Sequence, residues 1–115
     1  MKKINIIKSN DEYNRIIRTI KPYKYNDLIL YVEKNNLETY KFGFSVGKKI
    51  GNAVTRNKVK RRLKAILDKI HFKNGFNCII IVRKGILDIS FDQIEKDLNS
   101  IIEKINIKER KDEKN

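Results

Sequence analysis

The sequence predicts an α+β fold, a two-layer sandwich in the order α-β-β-α-β-α with helices packed on one small sheet. Three observations predict it. Ser9-Asn10-Asp11-Glu12 and Ser90-Phe91-Asp92-Gln93 have the spacing of capping boxes, and each opens a run of apolar residues at helical spacing. Three short apolar runs bounded by glycine or polar clusters read as strands. Between the last two of these runs lies a long segment with a narrow apolar stripe of period 3.6. The length, 115 residues, fits one domain spanning 1–115, and 40% hydrophobic with 36% charged residues describes a globular chain with a heavily solvated surface.

The first helix runs from about Asn10 to Ile20, with Tyr13, Ile16, Ile17 and Ile20 on one stripe, and Pro22 stops it. Asp27 to Glu33 is the first strand. Polar residues 34–38 lead to the second, Tyr40 to Val46, where Phe42, Phe44 and Val46 share one face and Lys41, Gly43 and Ser45 the other. These two strands read as a hairpin with one buried face. After the loop Gly47 to Asn52, with Asn52 or Thr55 as cap, a second helix spans about Ala53 to Ile70 on the stripe Val59, Leu63, Ile66, Leu67 and Ile70. Asn74-Gly75 is a turn. Phe76 to Arg83 is the third strand, its continuous Ile79 to Val82 suited to burial on both faces. The third helix runs from about Phe91 to Ile105, and the charged stretch from Lys108 to Asn115 is expected to fray.

Charge is the informative part of the composition. Lysine and arginine number 27 against 14 acids, a net +13, far beyond what solubility alone favours. The excess is concentrated: from Thr39 to Leu67 there is no acidic residue, while Lys41, Lys48, Lys49, Arg56, Lys58, Lys60, Arg61, Arg62 and Lys64 are all basic. A basic face and an ordinary one follow, and a polyanion is the expected partner. No segment approaches the ~20 apolar residues of a membrane span, and the N-terminus lacks the apolar core of a secretory signal, so the expected location is the cytoplasm, with no membrane partner. One cysteine, Cys78, and one histidine, His71, exclude an internal disulfide and a zinc cluster. Cys78 reads as a small buried hydrophobe and His71 as a surface residue near a helix end.

On the second helix Arg56, Asn57, Lys58, Lys60, Arg61, Arg62 and Lys64 cover most of the circumference that the apolar stripe leaves. The pairs Arg56/Lys60 and Lys60/Lys64 repel at i, i+4, and no carboxylate relieves them. A solvated basic face would interleave glutamate. Binding of phosphates by arginine forks and lysine point charges, with Asn57 free to meet a base or sugar edge, accounts for the pattern better.

The run from Phe44 through Lys48-Lys49-Ile50-Gly51-Asn52-Ala53-Val54 to Arg56-Asn57-Lys58 and Lys60-Arg61-Arg62 resembles the signature of the bacterial ribonuclease P protein component, and the flanks agree over about residues 8 to 107. The resemblance implies a fold like that of ribosomal protein S5 domain 2, with a left-handed β-α-β crossover. It also implies a protein subunit for a catalytic RNA that removes the 5′ leader of precursor tRNA with Mg2+ held mainly by the RNA, with no organic cofactor and no obligate protein partner. Lys48, Lys49, Asn52, Arg56, Asn57, Lys58, Lys60, Arg61, Arg62 and Lys64 would then face the RNA subunit. Lys58 stands where the family has a second arginine, which keeps the charge and loses a fork. Tyr13, Ile17, Tyr31, Lys41 and Ser45 would line the leader cleft, with Ile17 where an aromatic is common.

Pattern alone reads Tyr13 and Tyr31 as core, and only the resemblance makes them stacking platforms. The alternative function is a non-catalytic RNA scaffold such as a ribosomal protein, which shares the basic helix and needs no single-strand cleft. Tyrosines exposed on one concave surface favour leader binding; buried ones favour the scaffold. No catalytic or metal-ligating residue is assigned to the chain, because its acids fit caps, turns and helix surfaces.

Overall fold

The computed structural model describes residues 1–109. Helices α1 (Asn10–Thr19), α2 (Ala53–Leu67) and α3 (Phe91–Ile105) accompany strands β1 (Tyr23–Tyr25), β2 (Leu28–Lys34), β3 (Tyr40–Ser45) and β4 (Phe76–Val82). Both capping boxes form at their hydroxyl ends: Ser9 Oγ accepts from the Glu12 amide at 3.3 Å and Ser90 Oγ from Gln93 at 3.1 Å. α2 is shorter than its stripe suggests. It closes at Asp68, and Lys69 and Ile70 continue it only as tight turns onto Ile66 and Leu67.

The sheet corrects two expectations. Tyr23–Tyr25 forms an extra edge strand, antiparallel to β2 across the two-residue turn Asn26-Asp27, where Asn26 adopts φ +52, a left-handed conformation that asparagine tolerates. The strand order is then β1-β2-β4-β3, so β2 and β3 do not form a hairpin. β4 lies between them, antiparallel to β2 and parallel to β3. The physical reason is burial: from Cys78 to Val82 β4 is apolar on both faces and takes the centre, whereas β2 and β3 carry Glu33, Lys34, Lys41 and Ser45. The connection 35–39 crosses the start of β4 instead of turning back, with the Asn35 amide on Gly75 O and the Gly75 amide on Thr39 O, both 2.9 Å.

One face of the sheet carries the main core. Leu28, Leu30, Phe42, Phe44, Phe76, Cys78, Ile80 and Val82 meet Val59, Leu63, Ile66 and Leu67 of α2 and Ile94, Leu98, Ile101 and Ile102 of α3. Phe42 is fully buried, 4.9 Å from the Phe72 ring. The opposite face is covered by α1 and by Ile7 just before it, packed around Ile16 and Ile79. The free edge of β3 is partly capped by the chain's own start, where the Ile7 amide donates to Phe42 O at 2.9 Å.

Lys108 and Glu109 do not fray. Lys108 bridges Phe72 in antiparallel fashion, and the Glu109 amide donates to His71 O at 2.8 Å, because Ile107 beside them is buried in the core. The rest of that expected tail, 110–115, lies outside the described residues.

Candidate nucleic-acid interface

α2 begins where Asn52 Oδ1 accepts the Thr55 amide at 2.9 Å, and it follows a single 3-10 turn, Lys48–Ile50, that leaves Lys48 and Lys49 exposed while burying Ile50. Its buried stripe fixes which side faces out. Asn57, Lys58, Arg61 and Arg62 are exposed, and Arg56, Lys60 and Lys64 are half-buried along the flanks. Two of these cations rest on aromatic rings, Arg62 over Phe91 at 5.9 Å and Lys64 over Phe44 at 5.7 Å. Arg56 Nε is buried without a partner.

Charge balance separates this helix from the others: α1 carries Asp11 and Glu12 and α3 carries Asp92, Glu95, Asp97 and Glu103, whereas α2 carries no acid. Arg15 on α1, Lys69 in the turn after α2 and Lys108 in the bridge after α3 engage the carboxylates of Glu33, Glu95 and Glu103 respectively. Among the described residues none of the six cations of α2 engages a carboxylate. An array of unneutralised charge on a rigid helix stores repulsion that a row of phosphates relieves.

The second candidate region is the sheet face under α1. Strand register arranges it in three rows: Glu33, Asn77 and Lys41; Tyr31, Ile79 and Gly43; Ile29, Ile81 and Ser45. Tyr13 reaches across the middle row. Its hydroxyl oxygen accepts the Phe44 amide at 2.8 Å, and its ring occupies the space over Gly43, where an added Cβ would stand 2.5 Å from that oxygen. Gly43 is therefore required by close approach, a contact that strand periodicity does not reveal. Burial raises the Tyr13 phenol pKa, and the Phe44 bond partly opposes the rise.

Tyr13, Ile17 and Tyr31 border one apolar cluster with Ile16, Ile79 and Ile81, and all three are half-buried. The two tyrosines thus match neither extreme: each sinks part of its ring into the cluster and keeps part accessible. Lys41 and Ser45 share the face as expected, yet the Tyr13 ring stands between them over Gly43. Lys41 joins the polar row with Asn77 and Glu33. Glu33 is gripped by Arg15, a residue that sequence reasoning passed over although an acid on the same strand face as Tyr31 is a readable signal.

His71 is exposed and Cys78 fully buried, and burial pushes the Cys78 thiol well up. Among the described residues no group of three or more His, Cys, Asp or Glu could hold a metal ion, and no helix is long and apolar enough to cross a membrane.

Comparison with known proteins places this arrangement. The family model for ribonuclease P matches residues 1–106. The ribonuclease P protein component of Mesoplasma florum is 38% identical over 105 residues, covering 89% of this chain and 96% of the relative. That of Mycoplasma mycoides is 41% identical over 108 residues, covering 91% and 99%. The solved RNase P protein of Staphylococcus aureus superposes with a TM-score of 0.83 at 28% identity, over 91% of this chain and 98% of that one. With its basic helix, its mixed four-stranded sheet and this similarity along nearly its whole length, the chain belongs to the ribonuclease P family as a protein component of that tRNA 5′-processing endoribonuclease.

Proposed function

We propose that this chain seats the catalytic RNA subunit of ribonuclease P on α2 and takes the 5′ leader of precursor tRNA in the cleft between α1 and the sheet. The observation that carries the reading is the face of α2, where six cations stand on one helix that holds no acid and where, among the described residues, none has a carboxylate partner. Arg56, Arg61 and Arg62 supply forks for phosphate oxygens, Lys48, Lys49, Lys58, Lys60 and Lys64 supply point charge, and Asn52 and Asn57 can meet sugar or base edges.

In the cleft, Tyr13 and Tyr31 offer ring surface to unpaired bases, a contact worth ~1–3 kcal/mol per base that tolerates any sequence. Ile17 adds an apolar wall without stacking, and Ser45 a hydroxyl. Lys41 lies beyond the Tyr13 ring and reaches the backbone of a bound strand only from that side. Mg2+ belongs in this reading to the RNA subunit, since among the described residues no three His, Cys, Asp or Glu gather where they could hold an ion. The chain's part is to bind and orient. Added positive charge beside the RNA offsets phosphate repulsion, so less Mg2+ is needed, and leader contacts favour precursor over mature product. The setting is the cytoplasm, where precursor tRNA is made.

The test is cleavage of precursor tRNA at low Mg2+ with the RNA subunit alone, the protein alone, and both, beside an Arg56→Ala/Arg61→Ala variant. Cleavage only with both, weakened in the variant, supports the reading. If the protein leaves the RNA's activity and Mg2+ dependence unchanged, a ribosomal-type scaffold replaces it.

A further inference from the structure

α1 has ten residues and fully buries one of them, Ile16. That is too little apolar area to fix its angle on the sheet unaided. Two polar pins supply what burial does not. The first is the Tyr13 hydroxyl on the Phe44 amide of β3. The second is a fork to β2: Arg15 Nη1 donates to Glu33 Oε1 at 2.6 Å and Nη2 to Oε2 at 2.7 Å.

Glu33 is built to receive that fork. Its side chain is 13% exposed, Asn77 Nδ2 donates to Oε2 at 3.0 Å, and Asn77 Oδ1 accepts from Asn35 Nδ2 at 2.8 Å. Asn35 Oδ1 in turn accepts the Leu37 amide at 2.9 Å, so the carboxylate is oriented from beneath by the connection that crosses β4. Isolated surface ion pairs contribute little, but this one is bidentate, sheltered on its acidic side and part of a network. The Arg15 fork holds the Glu33 carboxyl below the usual carboxylate range against its burial, with Asn77 assisting.

The fork also decides which flank of α1 is usable. Arg15 and Ile17 are two residues apart, about 160° around the helix, so they look to opposite sides. On the Arg15 side Glu33 and Asn77 are tied up, and the Glu33 carboxylate repels phosphate. On the Ile17 side Ile81, Ile29 and Ser45 are half-buried and carry no acid.

We propose that Arg15 and Glu33 form a positioning clamp for the single-strand cleft: they hold α1 at the angle that presents Tyr13 and Ile17, and they direct an unpaired RNA segment along the Ile17–Ser45 flank without touching it. This inference rests on the leader-binding reading above. It assigns a role to two residues of opposite charge that neither the basic face nor the tyrosines required.

The experiment measures affinity of the reconstituted holoenzyme for precursor tRNA with a leader of several nucleotides and for mature tRNA. The proteins are the unaltered chain, Arg15→Gln, Glu33→Gln and the double variant, with melting temperature and affinity for the RNA subunit followed alongside. In the unaltered protein the leader must raise affinity; if it does not, the leader-binding reading itself fails. Given that gain, each single variant is expected to lose about fivefold of it, the double variant to lose no more than either single, and mature tRNA and RNA-subunit affinities to stay within twofold. A leader-dependent gain untouched in Glu33→Gln overturns the clamp. So does an equal loss for mature tRNA and precursor, which would mark the pair as merely structural.

Discussion

At the scale of single residues, Gly43 and Tyr13 are one device. The ring lies where a Cβ would be, so Gly43→Ala is expected to cost about 1–3 kcal/mol by displacing the ring and loosening α1, measured by urea unfolding. Tyr13→Phe keeps the ring and removes only the acceptor for the Phe44 amide. Its expected cost is about 1 kcal/mol, with base stacking retained. Glu33 sets a pH dependence whose sign follows from its lowered pKa. The carboxylate's contribution is fully present above its unfolded value near ~4.3 and is lost as pH falls through the depressed folded value. Unfolding of the unaltered protein and of Glu33→Gln should therefore differ at pH 6 and converge toward pH 2. A gap that persists unchanged at pH 2 contradicts the assignment.

At the scale of elements, α2 trades stability for charge. Lys60→Glu places a carboxylate four residues from both Arg56 and Lys64 and should raise stability by about half a kcal/mol while weakening RNA binding. Thermal unfolding and RNA titration of the same variant check both halves. Helices were legible because caps and stripes are local: Ser9 and Ser90 mark their starts to the residue, and Val59, Leu63, Ile66 and Leu67 name the buried side of α2. Strand pairing was not, because it is decided between distant segments. Nothing within 27–46 states that β4, thirty residues later, is the more apolar strand and displaces β3 from β2. β1 escaped notice for being three residues long and exposed, without an apolar pattern. Of the candidate site, the gathering of cations on α2 was readable from charge spacing, but not that Arg56, Lys60 and Lys64 sink half-buried along its flanks. The cleft was readable only as a list of residues, since Gly43 and the Arg15–Glu33 fork act through space and not along the chain.

At the scale of the whole molecule, the two proposed binding surfaces lie on opposite sides of one sheet, the cations with α2 and the tyrosines with α1. Arg56→Ala/Arg61→Ala should accordingly lower the slope of log affinity against log salt for the RNA subunit by about two units, while the leader-dependent gain survives. Cys78 offers a probe of the assembled core. It is fully buried in the central strand with its thiol held protonated, so a thiol reagent should label it only as fast as the protein opens globally, and RNA binding should slow that labelling. The outer margin of β3 has a further bearing. Tyr-Lys-Phe-Gly-Phe-Ser is an aromatic β-segment whose outward backbone groups are stoppered by the Ile7 amide and the Tyr13 hydroxyl. Removing residues 1–8 would leave half of that seal open, and a protein that keeps apart in solution by mutual repulsion at low ionic strength would, once salt screens its charge, add copy to copy along β3 into insoluble ribbons.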